Sequence, residues 1–411
     1  MTIEQLYAAY LAHPMVTTDS RQIPPDSIFF ALKGELFDGN RFASSALEKG
    51  CALAVVDDPS VVRDERYLLV DDVLTALQQL AAFHRKSLGT PVIGITGTNG
   101  KTTTKELMAA VLSTTYPVLY TEGNLNNHIG VPLTLLRLKA EHRIAIIEMG
   151  ANKPGDIAEL TCIARPNFGL ITNIGAAHEA NFSSMEEKCA EKLQLFTHCE
   201  GLVYCADDAL IGATLDKMRF AGRRITWSKK GKPAQYHFST HILSDSTEIS
   251  FQLAEISEDG SYVFNQNQES VHFFIPFTDE ASIENAIHTA VVGLELGVTP
   301  IQLAARMPQL QSVAMRLEVK PGVRGLTLID DAYNADLTSL DIALDFLHRR
   351  KEAHHKSVLV LSDFQQTGMP AGELYQRVAT LIASRPVDKV IGIGHEVKRL
   401  QNLLQCQVEC F

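Results

Sequence analysis

The sequence of 411 residues lacks several features that would assign it to a particular class of protein. Its seven cysteines are scattered and form no Cys-x-x-Cys pair, which argues against a zinc site or a disulfide framework and favours reduced thiols. No apolar run approaches the ~20 residues that a membrane span needs, and the N-terminus has no signal-peptide pattern. The net charge of −11 argues against a general binder of nucleic acid or of anionic membranes. We therefore expect a cytoplasmic protein.

What the chain does contain is a regular alternation of apolar strands and amphipathic helices, which predicts an α/β protein of three domains. Residues 1–85 form a small α/β unit. Residues 86–312 predict a parallel sheet with helices on both faces and an antiparallel patch within residues 223–278. Residues 313–411 predict a Rossmann-like domain that begins with a strand at 326–329 and includes a helix at 396–404. The joints are short, so any domain movement would pivot near residues 85 and 312.

The most informative stretch of the sequence is Ile93-Gly-Ile-Thr-Gly-Thr-Asn-Gly-Lys-Thr-Thr-Thr-Lys105. An apolar strand followed by a Gly-rich loop, Lys-Thr and an amphipathic helix builds a phosphate cradle, in which loop amides and a lysine face the anion and a hydroxyl can ligate Mg²⁺. Ile95 stands where the strict P-loop pattern has Gly, so this is a shorter GxxGKT variant. The alternative is a Gly-rich turn that merely caps a helix. The residues predicted to bind nucleotide here are Gly97, Thr98, Asn99, Gly100, Lys101, Thr102 and Thr103.

Polar residues also follow other predicted strands, where open α/β sheets place their ligand groups. Glu148 ends an apolar strand and is a natural Mg²⁺ ligand, although a capping acid is an alternative. His178 follows the next strand, and a lone histidine is more often structural than a ligand. Lys188 and Lys192 share one face of a predicted helix, for which a solvated charged face is the alternative.

Several motifs together resemble the Mur ligases, the ATP-dependent amide ligases of peptidoglycan precursor synthesis. The resemblance spans all three units, and within the family the member that adds D-alanyl-D-alanine is the most similar. The other motifs that carry it, besides the Gly-rich loop, are Thr18-Asp-Ser-Arg21, Gly123-Asn-Leu-Asn-Asn-His-Ile-Gly-Val-Pro132, Glu148-Met-Gly-Ala151, Thr172-Asn-Ile-Gly175 with His178, Glu191-Lys-Leu-Gln-Leu-Phe196 and Asp331-Ala-Tyr-Asn-Ala335.

The resemblance implies an activity and its cofactors. The chain would join D-Ala-D-Ala to a UDP-N-acetylmuramoyl-tripeptide through an acyl phosphate, using ATP and two Mg²⁺ ions. Residues 1–85 would bind the UDP precursor, 86–312 ATP, and 313–411 further ligand groups. We expect a monomer whose partners are these small molecules.

The resemblance also assigns roles to individual residues. The catalytic set would be Lys101, Glu148, His178, Lys192 and Arg316. The first Mg²⁺ would bind Thr102 and Glu148. A second would bind Glu148, His178 and Lys192, the last as a carbamate, because an anionic oxygen suits a hard cation where an ammonium would be repelled.

ATP would be held on its far side by a second group of residues: Asn285 would face adenine, Arg316 the γ-phosphate and Asp331 the ribose. Asn285 could instead cap a helix turn, and Arg316 could pair with Glu318 on the surface. The substrate-binding residues implied are Ser20, Arg21, Asn126, Asn127, Tyr333 and Asn334. Residues 19–21 alone would read as an ordinary turn.

The end of the chain departs from the family pattern. Relatives usually continue for a few dozen residues beyond the position of Phe411, so part of the dipeptide site is expected to be incomplete. Two other hypotheses therefore remain: a superfamily ligase for a different amino acid, and a non-catalytic protein that binds the precursor or ATP. A switch GTPase is disfavoured, because no guanine-reading Asn-Lys-x-Asp segment is present.

Overall fold

The computed structural model describes residues 1–411 except 35–36, 152, 176–181, 258–261, 264–269, 334, 352–353 and 365–368. The α-helices are α1 (Ile3–Ala12), α2 (Ala43–Glu48), α3 (Val73–Leu88), α4 (Lys101–Leu112), α5 (Gly130–Leu135), α6 (Asp156–Ala164), α7 (Met185–Leu193), α8 (Ala209–Lys217), α9 (Glu280–Glu295), α10 (Pro300–Arg306), α11 (Leu337–Arg350) and α12 (Ala371–Ser384). Short 3₁₀ helices lie at Gly39–Phe42, Pro59–Val61, Gln194–Phe196, Met307–Gln309, Val323–Gly325 and Val397–Asn402. No described helix is long and apolar enough to cross a bilayer.

The strands fall into separate sheets. They are β1 (Val16–Thr17), β2 (Ile28–Phe30), β3 (Leu53–Val56), β4 (Tyr67–Leu69), β5 (Val92–Thr96), β6 (Val118–Tyr120), β7 (Ile144–Glu148), β8 (Phe168–Ile171), β9 (Gly201–Cys205), β10 (Arg223–Ser228), β11 (Tyr236–Ile242), β12 (Thr247–Leu253), β13 (Glu255–Ile256), β14 (Tyr262–Val263), β15 (Val271–Ile275), β16 (Glu318–Pro321), β17 (Thr327–Asp330), β18 (Val358–Ser362), β19 (Lys389–Ile393) and β20 (Gln407–Cys410).

The N-terminal sheet is parallel, in the order β1-β2-β3-β4, and α3 connects it to the central sheet. The Asp72 carboxylate accepts from the Thr75 amide and starts α3. Near the other end of α3, the buried Arg85 guanidinium donates to the carbonyl oxygens of Ala164 and Arg165 and to the Asn167 side chain. Residue 85, where the sequence predicts a domain boundary, thus lies inside a helix that is hydrogen-bonded to the central sheet's own loops.

The central sheet places the Gly-rich loop at its topological switch point. In the described part of the chain its order is β15-β12-β11-β10-β9-β8-β5-β7-β6, and the strands from β6 to β11 run parallel. After β5 the chain builds β6 and β7 on one side of that strand and then crosses to β8 on the other. The carboxyl end of β5 therefore opens into the crevice where such sheets bind ligands.

Both faces of this sheet are covered, as the continuous apolar runs of β5, β7 and β8 require. One face packs against α4 and α9, with Ile93 and Ile95 of β5 in that core. The opposite face packs against α3, α5 and α6, with Val92 and Ile147. The parallel sheet with helices on both faces is as predicted from the sequence.

The predicted antiparallel patch is confirmed only in part. β12 pairs antiparallel with β11 and β15, but β10 and β11 run parallel to each other. A parallel connection normally needs a long crossover. Here β10 and β11 pair through two residues each, Trp227 with Tyr236 and Ser228 with His237, so the chain does not have to travel back along the sheet.

The C-terminal region departs from the predicted alternation at its start. The strand predicted at 326–329 is β17, but it pairs antiparallel with β16 in a two-stranded ribbon instead of joining the parallel sheet β18-β19-β20. An apolar run predicts a strand but does not predict which strand it pairs with. In this ribbon the Leu328 side chain of β17 is exposed. The helix predicted at 396–404 is the 3₁₀ helix Val397–Asn402, a form common in short connecting segments.

Candidate active site

The Gly-rich loop adopts a backbone that requires glycine at two positions. Gly97 has φ of 147° and Gly100 has φ of 82°, both in the region that residues with a side chain avoid. A Cβ atom on Gly97 would lie 1.9 Å from the Thr172 hydroxyl, and one on Gly100 would lie 2.4 Å from Oδ1 of Asn285. The loop can therefore approach its neighbours, and a ligand, more closely than any substituted loop could.

The end of β8 fixes the other side of the loop. The Thr98 amide donates to the Asn173 carbonyl at 2.8 Å, and the Asn99 amide donates to the Asn173 side-chain oxygen at 3.1 Å. The Thr172 hydroxyl donates to the Asn99 carbonyl at 2.6 Å. The polar residues that follow β8 thus fix the conformation of the Gly-rich loop, which is a positioning role.

Lys101, the first residue of α4, lies folded over this loop. Its ammonium donates to the carbonyl oxygens of Gly97 at 3.0 Å and Thr98 at 2.9 Å. Burial lowers the pKa of Lys101, while the nearby Glu148 carboxylate opposes that shift and Arg316 adds to it. A buried cation at the N-terminus of a helix is suited to receive an anion.

Glu148, at the end of β7, is fully buried and shows a one-sided set of contacts. Its Oε1 accepts from the Asn126 amide at 2.7 Å and from the Thr102 hydroxyl at 3.2 Å. Its Oε2 has no hydrogen-bond partner among the described residues. A buried carboxylate oxygen without a partner is costly, and a divalent cation beside Thr102 would satisfy it, so the donor set fits Mg²⁺. Glu148 caps no helix, and that alternative is wrong.

No group of three or more His, Cys, Asp or Glu residues converges in the part of the chain that the structure describes. His178 lies outside the described residues, and so does Asn334. The structure therefore leaves the predicted second metal site, which needs His178, as a prediction.

The two lysines of α7 are buried rather than solvated. Lys188 and Lys192 are 1% and 2% exposed, so the alternative of a charged surface helix is wrong. The Lys188 ammonium donates to the carbonyl oxygen of Gly175. Burial lowers the pKa of Lys192 well below its usual value, and the positive charges of Lys101 and Lys188 lower it further.

Asn285 lies on α9 against the Gly-rich loop. It is buried, and its Oδ1 accepts from the Thr104 hydroxyl at 3.0 Å. Asp279 caps α9, so the alternative of Asn285 as a helix cap is wrong. The side chain therefore connects α9 to the nucleotide loop, while Thr103 beside it is half-buried in the first turn of α4.

Two further residues, which were not predicted from the sequence, hold this site in place. His288 accepts from the Trp227 indole at 3.0 Å and donates to the Thr172 carbonyl at 3.1 Å, and burial lowers its pKa to about 4. The fully buried Lys105 ammonium donates to the carbonyl oxygens of Thr121 at 2.6 Å and Gly123 at 3.1 Å. Lys105 ends the recognised motif and could have been noticed; nothing in the sequence marks His288.

Arg316 approaches the cavity from the C-terminal region. Its guanidinium stacks on the Tyr333 ring, 3.8 Å from the centroid, and burial lowers its pKa. The neighbouring Leu317 amide donates to Asp331 at 3.2 Å, and burial raises the pKa of Asp331 to about 6. Glu318 pairs with Lys320, so the alternative of an Arg316–Glu318 ion pair is wrong.

Of the residues predicted to hold the UDP precursor, Ser20 and Arg21 lie outside the central cavity that the other described members of the set line. The Arg21 side chain is 86% exposed and pairs with Asp19, and the Ser20 carbonyl accepts from Lys49. The Asn127 side chain accepts from the amides of Ile129 and Gly130, just before and at the first residue of α5, and it also lines the cavity.

A cavity of about 810 Å³ joins these elements. It extends from the Gly-rich loop to α3 and α6 and to the segment that carries Arg316. Asn285, Asp331, Ser20 and Arg21 are not among its lining residues, which are Leu74, Thr98, Asn99, Gly100, Lys101, Thr102, Asn124, Asn126, Asn127, His128, Glu148, Gly150, Ala151, Lys153, Asp156, Glu159, Leu160, Lys192, Arg316 and Tyr333.

A phosphate cradle at a sheet switch point, a buried carboxylate with one open oxygen and a large polar cavity define a protein of the nucleotide-dependent P-loop class. The comparisons with known proteins assign the family. The Mur ligase middle domain matches residues 95–293, and the Mur ligase family catalytic domain matches residues 14–85. The chain belongs to the Mur ligase family.

Relatives of known activity align over most of the chain. The UDP-N-acetylmuramoyl-tripeptide–D-alanyl-D-alanine ligase of Bacillus subtilis is 35% identical over 92% of this chain and 79% of its own. The crystal structure of MurF from Acinetobacter baumannii has a TM-score of 0.84 and 28% identity over 100% of this chain and 89% of that one. MurF from Thermotoga maritima in complex with ADP has a TM-score of 0.78 and 25% identity over 97% and 88%. The fold is thus that of the MurF structures.

Proposed function

We propose that this chain is an ATP-dependent ligase that joins D-alanyl-D-alanine to the terminal carboxylate of a UDP-N-acetylmuramoyl-tripeptide, with release of ADP and phosphate. The observation that carries the chemistry is the Glu148 oxygen that has no partner among the described residues, buried beside the Lys101 loop in a cavity that Arg316 also lines. The relatives at 30–35% identity that perform this reaction support the choice of substrates.

The proposed reaction has two steps, and the cationic side chains around the cavity would assist the first. The peptide carboxylate attacks the γ-phosphorus of ATP, which gives an acyl phosphate and ADP. The amine of D-Ala-D-Ala then attacks the acyl carbon, loses a proton, and the tetrahedral adduct expels phosphate to leave the amide. Lys101 and Arg316 neutralise the charge that an anionic nucleophile and an anionic phosphate bring together.

Metal ions would be bound by residues of α4, β7 and α7, together with His178. Thr102 and Glu148 would hold one Mg²⁺, and Glu148, His178 and a carbamate on Lys192 would hold a second. When bound, the metal supplies Lewis-acid neutralisation of the phosphate oxygens. The protein's own contribution is to aim the open Glu148 oxygen and to exclude water, which would hydrolyse an acyl phosphate.

The surroundings of Lys192 support its carbamylation. The neutral amine attacks CO₂ and loses a proton to give the carbamate anion, and burial beside two other lysines favours the neutral amine. We expect ¹³C-bicarbonate to give a carbamate signal in the NMR spectrum that is absent from Lys192→Ala. Lys192→Ala should also lose activity that bicarbonate does not restore. A wild-type spectrum without the signal at saturating bicarbonate would reject this role.

The three predicted domains divide the ligands between them. Residues 1–85 would bind the uridine nucleotide, with Ser20 and Arg21 reaching its diphosphate. Residues 86–312 would bind ATP, with Asn285 toward adenine, and residues 313–411 would add Arg316 and Asp331. We propose that the active form is a monomer.

A coupled assay for ADP tests the function directly. The purified chain is supplied with ATP, Mg²⁺ and UDP-tripeptides that end in lysine or meso-diaminopimelate, with and without D-Ala-D-Ala. We expect ADP to form only when tripeptide and dipeptide are both present. ADP formation with a different amino acid would identify another superfamily ligase, and nucleotide binding without ADP formation would identify a non-catalytic protein.

A further inference from the structure

The contacts of Asn126 differ from the substrate-binding role that the family resemblance implies. Its side-chain nitrogen lies 2.7 Å from Oε1 of Glu148. A carboxylate can only accept, so the amide must present its nitrogen there. The Thr102 hydroxyl donates to the same oxygen at 3.2 Å, and Oε2 of Glu148 keeps no partner among the described residues. Both protein donors therefore act on one oxygen and leave the other open.

The backbone of Asn126 is fixed on both sides, which ties its side chain to this contact. The Asn126 amide donates to the Asn124 carbonyl at 2.7 Å, and the Asn126 carbonyl accepts from the Gly150 amide at 2.9 Å. Gly150 follows Glu148 by two residues, so the asparagine and the carboxylate are held in one backbone frame.

Lys105 fixes the same segment from the phosphate-loop helix. Its buried ammonium binds the carbonyl oxygens of Thr121 and Gly123, at the start of the segment that leads to Asn126. The Thr121 hydroxyl in turn accepts from the Glu148 amide at 3.0 Å. The segment from 121 to 126 is thus attached to α4 and to the end of β7.

We propose that Asn126 is a positioning residue that holds the Glu148 carboxylate so that Oε2 alone faces the divalent cation. The inference rests on the proposed function only through the cation of the nucleotide complex. Mg²⁺ demands near-ideal ligand geometry, and hydrogen bonds to a ligating carboxylate orient it. A neutral amide does this without cancelling the negative charge, whereas a lysine or arginine at this position would compete with the metal.

The experiment measures metal binding without catalysis. Mn²⁺ is titrated into the protein in the presence of ADP, and free Mn²⁺ is followed by electron paramagnetic resonance. Asn126→Leu removes the donor at nearly equal size and should weaken Mn²⁺ binding about tenfold, the low end of the effect of losing a partner of a metal ligand. As the matched control, Gln78→Leu removes a side-chain amide that donates to the His128 carbonyl at 3.2 Å and does not line the cavity, and it should leave Mn²⁺ affinity within about twofold of the wild type.

Enzyme kinetics then separate positioning from substrate contact. In Asn126→Leu we expect the half-saturating Mg²⁺ concentration to rise and kcat to fall, while KM for the UDP-tripeptide stays nearly constant. Unchanged Mn²⁺ affinity in Asn126→Leu, or a rise confined to KM for the UDP-tripeptide, would overturn the proposal. Circular dichroism and thermal unfolding establish that each variant is folded. A wild-type chain that binds Mn²⁺ and ADP but makes no amide would contradict the proposed function and leave this inference standing.

Discussion

The two walls of the cavity are built in different ways. On one wall, the Gly-rich loop, Glu148 and Lys192 lie on or beside buried strands and helices of the central domain, and hydrogen bonds join the loop to the end of β8 and Glu148 to Asn126. On the other wall, Arg316 lies on a segment next to the exposed ribbon β16–β17, where Val323 is 84% and Leu326 is 60% exposed. The first wall is therefore part of the buried core of the central domain, whereas the second wall borders an exposed ribbon.

Backbone strain is also distributed differently. In the Gly-rich loop, left-handed φ angles fall on Gly97 and Gly100, which adopt them at little cost. Beside Arg316 they fall on Met315 and Leu317, with φ of 57° and 50°. Each costs roughly 1–2 kcal/mol for a residue with a side chain, so the Arg316 segment is the strained wall. We expect it to move when nucleotide binds, and the Arg85 bonds to resist movement near residue 85.

The strongest test of the preformed wall is Lys101→Ala. The ammonium should be required in the transition state, where charge builds on the transferred phosphoryl group, so we expect ligation to fall by about 10³-fold. The substitution removes two hydrogen bonds to loop carbonyls but also removes the cost of burying the ammonium, so the thermal unfolding midpoint should change little. Retained turnover in the ADP assay would contradict the phosphate-loop assignment.

Gly100→Ala should damage the same wall by a different route. The new methyl group would meet Oδ1 of Asn285 at 2.4 Å in a backbone that disfavours a side chain. We expect ADP affinity to fall about 10–100-fold and the free energy of unfolding to fall by about 1–3 kcal/mol. Calorimetry with ADP and chemical denaturation measure the two effects.

Gly175→Ala is the matched control for that substitution. Gly175 lies beside the same loop, but a Cβ there would make an ordinary 3.6 Å contact with Thr98. We expect near wild-type stability and ADP affinity. Equal damage at Gly100 and Gly175 would show that any added methyl group disturbs the site, and would contradict the specific role of the left-handed turn.

The sequence predicts the first wall better than the second for a physical reason. The strand, loop and helix of the cradle are consecutive in the chain, so spacing alone places Gly100, Lys101 and Thr102 correctly. Glu148 was predictable because parallel strands end at one edge of a sheet. Contacts between distant segments were not, and the partner of Asn126 and the burial of Lys188 required the structure.

The second wall shows where pattern reasoning fails. Residues 326–329 look like the first strand of a Rossmann sheet, yet β17 pairs with β16, because an apolar run does not specify its neighbour. Arg316 was expected to face solvent or the γ-phosphate, and its stacking on Tyr333 depends on two left-handed residues that no propensity predicts.

Tyr333→Leu tests how far the second wall depends on that stacking. The ring contact is worth about 1 kcal/mol at a half-exposed site, so its loss should lower kcat/KM by about fivefold through misplacement of Arg316. Tyr333→Phe keeps the ring and should stay close to wild type in the ADP assay. Equal losses in both variants would assign the effect to the hydroxyl group, and hence to a substrate contact.

The smallest expected effect concerns the charge of Asp331 beneath Arg316. Burial raises its pKa to about 6, above the ordinary value of about 3.9 in an unfolded chain. Between these values the folded state binds the proton more strongly, so its stability falls as pH rises from about 4 to about 6 and stays lower above that range.

The substitution Asp331→Asn tests this pH dependence. The new side chain cannot ionise, but its oxygen can still accept from the Leu317 amide. The shift of about two pKa units corresponds to roughly 3 kcal/mol, which the partial exposure of the side chain reduces. The free energy of unfolding of Asp331→Asn should therefore match that of the wild type near pH 4 and exceed it near pH 8 by about 1 kcal/mol. If Asp331 also contacts the ribose, the same variant should bind ADP more weakly while being more stable. If the wild type is as stable as the variant at both pH values, the Arg316 guanidinium fully offsets the cost of burying the Asp331 carboxylate. The charge of Asp331 would then not destabilise the second wall.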